Sequence, residues 1–294
     1  MNIGIIGGGA VGMLFAGFLS DRHEVTLYTR TKEQASAING KGLQILRGHH
    51  KKKKNVKAVH IQERIEEEDL LIVAVKQYDL GSALSYIQTN KSPLLFVQNG
   101  FAHVERVSRL HNEYIYLGVV EHGARRHDLH TVEHTGTGLT KIAAYRGSID
   151  KLDFLMEHSE EFPFSFLEDY HKMLIEKLVV NAVINPLTAI LGVKNGDLLS
   201  NPYFHELFQR LFNEIAIILE LEPASLYQEH IEHVCRATSN NQSSMLKDLE
   251  RGKQTEIDSI LGYILSAART EGKPHQLTHT LYTMVKGREK RGED

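Results

Sequence analysis

The spacing of apolar residues divides the chain into two parts that meet near residue 168. In the first part, short apolar runs of the kind found in buried strands alternate with helical spacing. The predicted strands lie at residues 2–6, 24–28, 69–75, 94–97 and 115–119, and the first predicted helix lies at residues 11–20. Strands that alternate with helices predict a doubly wound parallel sheet. Residues 123–145 contain further short β-prone pieces, which we interpret as an antiparallel extension.

The second part keeps helical periodicity to its end and is predicted to be all-helical. Pro186 lies inside this pattern, and proline lacks a backbone N–H, so we expect a kink or a break there. Thr255 and Asp258 have the spacing of a capping box, which predicts the start of a later helix. We therefore divide the chain into domains at residues 1–167 and 168–294.

Composition and charge limit the classes of protein to which the chain can belong. Its 294 residues fit two domains, and a 41% share of hydrophobic residues suffices for a sizeable core. A net charge of −3 gives no general attraction to nucleic acid or membrane, so neither is an expected partner. The basic run at residues 49–54 is interpreted as a solvated loop tip. Cys235 is the only cysteine, and we recognise no signal peptide and no apolar run near membrane-spanning length, so a cytoplasmic protein is expected.

A glycine motif follows the first predicted strand and opens the first predicted helix. The motif has the form G-x-G-x-x-G and consists of Gly7, Gly8, Gly9, Ala10, Val11 and Gly12. In this setting Gly7 permits the tight turn, Gly9 lets the backbone approach a pyrophosphate, and Gly12 lets the helix pack on the strand. The N–H groups of the helix would then bind the anion. The motif therefore identifies the sheet as a Rossmann-type domain that binds a dinucleotide.

The residues after the second predicted strand distinguish between NAD and NADP. A carboxylate there would bind the ribose 2′-hydroxyl of NAD, but the chain reads YTRTK at residues 28–32. Arg30, with Lys32 beside it, would pair with the 2′-phosphate of NADP, so NADPH is the predicted cofactor. The alternative is that Arg30 is a solvated residue at the end of a strand.

Two further polar residues follow predicted strands. Lys76 comes after the run LLIVAV and Asn99 comes after LLFV. Both are candidates for ligand contact, because the carboxyl ends of strands line the ligand crevice of an open α/β sheet. Lys76 could equally be solvated, and Asn99 could be a turn former that tolerates positive φ.

Lys177, Asn181 and Asn185 recur at steps of four in the helical part. Steps of four keep side chains on one face of a helix. This face places one ammonium and two carboxamides among apolar residues, where a cation is costly unless it has a partner or a function. We interpret the face as catalytic, and the alternative is a lysine that extends to solvent beside two surface amides.

Other polar residues give weaker signals. Ser243 and Ser244 lie at a predicted helix start, where they offer a hydroxyl to a carboxylate or only cap the helix. Glu256 lies in a first helical turn, where an acid is favourable for the helix dipole alone. Histidine pairs at residues 127/130 and 230/233 have metal-ligand spacing, but no carboxylate or cysteine completes either set, and no metal is expected.

These motifs resemble those of the ketopantoate reductase (2-dehydropantoate 2-reductase) family over nearly the whole chain. The family belongs to a broader group of two-domain oxidoreductases that are similar to 6-phosphogluconate dehydrogenase. The resemblance is carried by IGGGAVG, VAVKQYD around Lys76, QNG at Asn99, HGA at Ala124, KLVVNAVINPLTA and SSMLKDLERGKQTEID. The last two motifs are the most specific.

The resemblance implies NADPH-dependent reduction of 2-dehydropantoate to (R)-pantoate, a step towards pantothenate and coenzyme A. By matching motif positions, Lys177 would be the proton donor. The residues implied to hold the substrate are Asn181, Asn185, Asn195 and Ser244. The residues implied to contact the cofactor, besides the glycine loop, are Lys76 and Ala124. Asn99 would lie between cofactor and substrate, and Glu256 would meet either the substrate hydroxyl or the nicotinamide ribose.

In this mechanism hydride reaches the ketone carbon, and the Lys177 ammonium stabilises the ketone oxygen and gives it a proton. Residues 121–126 and 272–276 depart from the pattern of the family, which leaves the identity of the 2-oxo acid open. One alternative is a related NADP-dependent reductase or dehydrogenase that acts on another 2-oxo acid or a hydroxyacid. A second is a non-catalytic regulatory protein that binds NADPH. The chain is expected to be a monomer or a homodimer.

Overall fold

The computed structural model describes residues 1–157 and 160–290, which form two compact units. The sheet unit comprises Met1–Gln98 and Arg106–Met173, and the helical unit comprises Asn99–Glu105 and the chain from Leu174 onward. The predicted fold class, a Rossmann-type sheet followed by an all-helical part, is confirmed. The short segment Asn99–Glu105 groups with the helices, although it lies far from them in the sequence.

The sheet unit contains two sheets. Its strands are β1 (Asn2–Ile6), β2 (Glu24–Thr29), β3 (Leu43–Arg47), β4 (His50–Lys54), β5 (Lys57–His60), β6 (Leu70–Val73), β7 (Leu94–Phe96), β8 (Ile115–Val120), β9 (Gly123–Arg126), β10 (Thr131–Gly136), β11 (Thr140–Arg146) and β12 (Phe164–Leu167). The larger sheet has the order β12-β11-β8-β7-β6-β1-β2-β5. All neighbours in it are parallel except β8 and β11.

The order of the larger sheet reverses at β1. The chain builds outward from β1 through β2 to β5, and then returns to the other side of β1 for β6, β7 and β8. The three central strands β1, β6 and β7 are buried almost throughout, which is why their sequences are continuous apolar runs. In doubly wound sheets ligands bind where the strand order reverses, beyond the carboxyl ends of the strands.

The predicted antiparallel extension is divided between the two sheets. β11 joins the larger sheet antiparallel to β8, whereas β9 and β10 pair with each other in the smaller sheet, whose order is β4-β3-β10-β9. The first helix contacts β1 and β2 of one sheet and β3, β9 and β10 of the other. This explains why the helix is buried from Gly12 to Leu19.

The interpretation of the basic run as a loop tip is wrong. Its residues form β4, the edge strand of the smaller sheet, which pairs antiparallel with β3. The side chains are largely exposed, and Lys52 forms an ion pair of 3.2 Å with Glu161. Lysines on an edge strand oppose pairing with a second chain, so the run protects an otherwise open sheet edge.

The helices lie mainly in the second unit. Their bounds are α1 (Ala10–Leu19), α2 (Lys32–Lys41), α3 (Leu80–Ser85), α4 (His103–Ser108), α5 (Tyr170–Leu191), α6 (Asp197–Ser200), α7 (Pro202–Ile218), α8 (Ala224–Ala237), α9 (Ser244–Glu250), α10 (Tyr263–Glu271) and α11 (Gln276–Lys290). A π-helical turn at Asp258–Gly262 leads into α10. The predicted capping box at that turn forms only in part. The Thr255 hydroxyl accepts the N–H of Ile257 at 3.1 Å, but the Asp258 carboxylate binds Tyr282 and Lys286 instead.

The helix α5 is the core helix of the second unit. Of the expected kink or break at Pro186, the break does not occur. Burial of both halves holds the helix in place: Ala182 is 0% and Leu187 is 1% exposed. By length and composition this helix could cross a membrane, which corrects the expectation that no apolar run approaches that length. However, 78% of its most apolar window is buried inside the protein, as in the core helix of a folded domain.

A pair of histidines is buried in the sheet unit beside Phe162. Nε2 of His134 lies 3.2 Å from Nδ1 of His122, which also accepts the N–H of Gly138 at 3.2 Å. The His122 ring stacks on Phe162 at 4.2 Å. Burial, with a smaller contribution from the neighbouring His134, lowers the pKa of His122 to about 4. Burial also lowers the pKa of His134, with a smaller contribution from Arg47. The folded protein therefore holds both rings neutral.

This pair predicts a loss of stability in acid. As the pH falls below about 6.5, these two histidines become protonated in the unfolded chain but stay neutral in the folded protein. The unfolded state therefore binds more protons, and the free energy of unfolding falls towards pH 4. In His134→Leu the fall between pH 7 and pH 4.5 should be smaller, since one such group is gone. Urea unfolding at several pH values measures this, with the exposed His49→Leu as the control. A fall as large in His134→Leu as in the wild type would contradict the assignment.

Candidate active site

The glycine loop connects β1 to α1 at the point where the strand order reverses. Gly7 has φ +118°, a conformation that favours glycine, and its N–H donates to the Tyr28 carbonyl at 3.0 Å. A Cβ on Gly12 would collide with the Gly7 carbonyl oxygen. The turn and the packing of α1 on β1 therefore require glycine at both positions.

Gly9 is different, because nothing in the folded chain requires it. It precedes α1 with φ −78°, which any residue can adopt, and no atom lies within 4 Å of the position that a Cβ would take. No side chain caps the helix there, and its first turn contains no acid. An open space against the N-terminus of α1 fits the diphosphate of a dinucleotide, for which a Cβ would be an obstacle.

The other predicted cofactor residues of the sheet unit lie on or just after its strands. Arg30 directly follows β2 with a side chain 82% exposed, and its single ion pair, with Asp79, is long at 3.7 Å. An exposed pair of that length holds the guanidinium weakly, so Arg30 is available to a 2′-phosphate. Lys76 is half-buried just before a 3₁₀ turn, and Ala124 lies on β9 against the hydrophobic core.

The predicted polar face of α5 lies in the helical unit. Lys177 is half-buried, whereas Asn181 and Asn185 are only 8% and 7% exposed. Neither carboxamide has a hydrogen-bond partner among residues 1–157 and 160–290. The amide atoms are not fully enclosed, so the pair is open to water or to a ligand from outside the chain. The alternative of two surface amides does not describe side chains buried to this degree.

Asn99 and Glu256 are brought together although 157 residues separate them. The Asn99 amide donates to the Glu256 carboxylate at 3.0 Å, and Glu256 is 9% exposed. Positive φ falls on Gly100 at +83°, not on Asn99, so the turn-former interpretation of Asn99 is wrong. A Cβ on Gly100 would collide with the Ser259 carbonyl, which makes glycine necessary for this approach.

The last turn of α11 holds the segment that carries Glu256. The Glu289 carboxylate accepts the N–H of Thr255 at 2.8 Å and the Thr255 hydroxyl at 2.7 Å. Lys286 binds Glu289 at 2.8 Å and Asp258 at 3.0 Å. Although burial lowers the pKa of Lys286, its bonds to the two carboxylates raise it by more, so the ammonium stays charged. Glu256 is thus presented from a segment that is fixed on both sides.

The two serines before α9 have separate roles. The Ser243 hydroxyl accepts the N–H of Leu246 at 3.1 Å and lies 2.8 Å from the Thr188 hydroxyl of α5. Ser243 therefore caps the helix and ties it to α5, while Ser244 is exposed and begins the helix. Asn195 is 7% exposed and donates to the Thr238 hydroxyl at 2.9 Å, which occupies part of its amide.

The histidine pairs considered for a metal have other surroundings. His127 pairs with Glu133 at 2.8 Å, and His130 pairs with Asp128 at 3.0 Å. In the parts of the chain that the structure describes, no three His, Cys, Asp or Glu side chains are grouped so as to hold a metal ion.

Two residues at the glycine loop were not among the predicted site residues. Gln34 and Arg126 both donate to the Gly8 carbonyl, at 2.8 and 3.1 Å. Neither belongs to a recognisable motif, and the contact between Gly8 and Arg126 spans 118 residues, so no local signal could have indicated it.

Comparison with known proteins gives the family. The model "Ketopantoate reductase PanE/ApbA" matches residues 3–147, and "Ketopantoate reductase PanE/ApbA C terminal" matches residues 169–289. The chain belongs to the ketopantoate reductase family. A 2-dehydropantoate 2-reductase of Listeria innocua is 41% identical over 295 residues, which cover 98% of this chain and 97% of the relative.

Solved structures agree with this membership. A probable 2-dehydropantoate 2-reductase from Bacillus subtilis has a TM-score of 0.92 at 39% identity, covering 98% of this chain and 100% of its own. The ternary structure of D-mandelate dehydrogenase with NADH and anilino(oxo)acetate has a TM-score of 0.90 at 23% identity over 100% of both chains, a likeness that shows the fold alone. The predicted family and enzyme class, an NADP-dependent oxidoreductase with a small-molecule substrate, are confirmed.

The two loop glycines can be separated by experiment. Gly9→Ala should leave the thermal stability unchanged or raise it slightly, since the conformation suits alanine. It should weaken NADPH binding about tenfold or more, because the added methyl group would clash with the diphosphate. Gly12→Ala should lower the melting temperature, because its Cβ meets the Gly7 carbonyl. Calorimetric titration and thermal unfolding measure both. Unchanged NADPH binding in Gly9→Ala would show that the diphosphate does not occupy this space.

Proposed function

We propose that this chain reduces 2-dehydropantoate to (R)-pantoate with NADPH, and that Lys177 is the proton donor. Reduction of ketopantoate is the activity for which the family is named, and the 41% identical relative carries the same name. The observation that supports the residue assignment is the polar face of α5, where a half-buried lysine is in line with two buried, unpaired carboxamides. We further propose that residues 1–167 bind the cofactor and residues 168–294 the substrate.

The cofactor groups belong to the sheet unit. Bound NADPH supplies the hydride that reduces the ketone. The N-terminus of α1 would hold the diphosphate, with Gly9 leaving room for it, and Arg30 would pair with the 2′-phosphate. Lys76 and Ala124 complete the proposed set of cofactor contacts.

The substrate groups belong to the helical unit. Asn181 and Asn185 can donate hydrogen bonds to the substrate without adding charge, and the exposed Ser244 hydroxyl offers another donor. We assign Asn195 a supporting place, since its amide already binds Thr238. Asn99 fixes the Glu256 carboxylate, which would accept a bond from the substrate hydroxyl or the nicotinamide ribose.

Lys177 does the proton chemistry in this proposal. As the ketone carbon is reduced, negative charge develops on its oxygen, and an ammonium beside it lowers the energy of that state. The same ammonium then gives the oxygen its proton, which turns it into the product hydroxyl.

The substrate is tested by following NADPH oxidation with a panel of 2-oxo acids. We expect kcat/KM to be highest for 2-dehydropantoate, above that for benzoylformate, pyruvate and 2-oxoisovalerate. A higher value for another oxo acid would favour the alternative of a related reductase. Tight NADPH binding with no turnover on any of them would favour a regulatory protein.

We also propose a cytoplasmic location and a monomeric or homodimeric state. The single cysteine, Cys235, is buried and unpaired with any other cysteine, which suits a reducing compartment. Light scattering on the purified protein would determine the oligomeric state.

Lys177→Ala tests the mechanism. General acid catalysis contributes about 10²–10⁴-fold, so kcat should fall by that order. NADPH affinity and melting temperature should change little, because the glycine loop lies in the other unit. Lys172→Ala is the control, since Lys172 is an exposed lysine on the same helix. Turnover of folded Lys177→Ala at close to the rate of the control would exclude the assigned role.

Arg30→Ala tests the choice of cofactor. Loss of a charge-assisted bond to the 2′-phosphate should raise the KM for NADPH about tenfold or more and leave use of NADH nearly unchanged. Arg64→Ala is a matched control, because Arg64 is 84% exposed and has an ion pair of the same 3.7 Å length, with Glu66. An equal effect of Arg30→Ala on both cofactors would show that Arg30 does not read the phosphate.

A further inference from the structure

The carbonyl of Gly8, in the middle of the glycine loop, is held by two side chains from different elements. Gln34 of α2 donates through Nε2 at 2.8 Å, and Arg126 at the end of β9 donates through Nη1 at 3.1 Å. Most backbone carbonyls in loops are satisfied by the backbone or by water. Two side-chain donors on one loop carbonyl are therefore unusual, and they fix the orientation of the peptide group between Gly8 and Gly9.

A trans peptide is planar, with its C=O and its N–H pointing in opposite directions. Fixing the Gly8 carbonyl on the protein side therefore fixes the Gly9 N–H on the other side. Gly9 is exposed, and its N–H has no partner among the described residues. The position of its missing Cβ is open, with no atom within 4 Å. The N–H is thus directed into the space assigned to the diphosphate.

The first donor is rigid. Gln34 is 4% exposed, and its backbone N–H is bound by the Thr31 hydroxyl at 3.3 Å. Its Nε2 also lies 3.7 Å from the Met13 sulfur on α1. A buried glutamine that is held at its backbone and at its amide cannot follow the loop if the loop moves, so it limits the orientations of the Gly8 carbonyl.

The second donor brings a charge. The guanidinium of Arg126 makes a charge-assisted hydrogen bond to the neutral Gly8 carbonyl. Arg126 is exposed, so its side chain could equally extend into solvent. Its neighbour Arg125 behaves differently and pairs with Glu133 at 2.6 Å. The two adjacent arginines therefore have the same charge and similar exposure, but only Arg126 contacts the loop.

We propose that Gln34 and Arg126 are positioning residues for NADPH, which hold the peptide between Gly8 and Gly9 so that its N–H faces the cofactor diphosphate. The inference rests on the proposed use of NADPH by this chain. It assigns a function to two residues that lie outside the glycine motif and that touch the motif through one carbonyl oxygen.

The test uses two ligands and three variants of the full chain. Arg126→Met and Gln34→Met each remove one donor and keep the length of the side chain, and Arg125→Met removes the neighbouring charge. Calorimetric titration measures the Kd of each variant for NADPH and for adenosine 2′-monophosphate. The second ligand has the adenine and the 2′-phosphate but no diphosphate. Thermal unfolding without ligand shows that each variant is folded.

We expect Arg126→Met and Gln34→Met to bind NADPH about tenfold more weakly, the effect of losing one hydrogen bond to a fixed group. Their affinity for adenosine 2′-monophosphate should match the wild type, and Arg125→Met should match it for both ligands. Unchanged NADPH binding in the first two variants would overturn the proposal.

Two other outcomes would also overturn it. Equal weakening by Arg125→Met would mean that general positive charge attracts the cofactor. Equal weakening for both ligands would place the effect away from the diphosphate. Failure of the proposed function is distinguishable, because a wild-type protein that binds NADPH tightly and reduces no oxo acid would still show the pattern expected for the loop.

Discussion

The burial of α5 is the constraint on which the helical unit depends. A 22-residue helix with 78% of its most apolar window inside the protein must be covered by the rest of the fold. Asn181 and Asn185 are largely buried on this helix, and their amides have no hydrogen-bond partner among the described residues, although the amide atoms are not sealed from solvent. Polar groups that the fold holds in place in this way need little rearrangement when a ligand forms hydrogen bonds to them. The burial of α5 and the proposed substrate site therefore involve the same residues.

A second set of contacts within the helical unit orders the segments that carry the other predicted site residues. Thr188 joins α5 to the cap of α9 through Ser243, and Gly100 permits the approach of Asn99 to the residues around Glu256. The Glu256 segment is held from behind by the last turn of α11. Each of these contacts is a hydrogen bond or a close backbone approach between segments far apart in the sequence. Together they restrict the side-chain rotamers of Asn99 and Glu256.

The sheet unit solves a different problem, that of holding a loop rigid at the end of a strand. α1 is buried between two sheets, so its N-terminus cannot shift without disturbing both. Gly7 and Gly12 fix the loop from the side of the strand, and Gln34 and Arg126 fix it from the side of α2 and β9. Neutral histidines in the same region fill space between aromatic rings, which makes the packing there sensitive to acid.

The sequence by itself determined the fold class, the glycine loop and the polar face of α5. These features depend on strand and helix periodicity or on spacings within one segment, and such local patterns are set by backbone geometry alone. It did not determine the smaller sheet, because the lysine-rich β4 has no apolar pattern and the short β3, although its Leu43 and Ile45 alternate, pairs with the distant β10. It also left open whether the helix would break at Pro186, where burial on both sides outweighs the lost N–H. Only the tertiary structure brought Asn99 to Glu256, Glu289 to Thr255 and Arg126 to Gly8, because the chain between such partners is long and its path is decided by the packing of the whole unit.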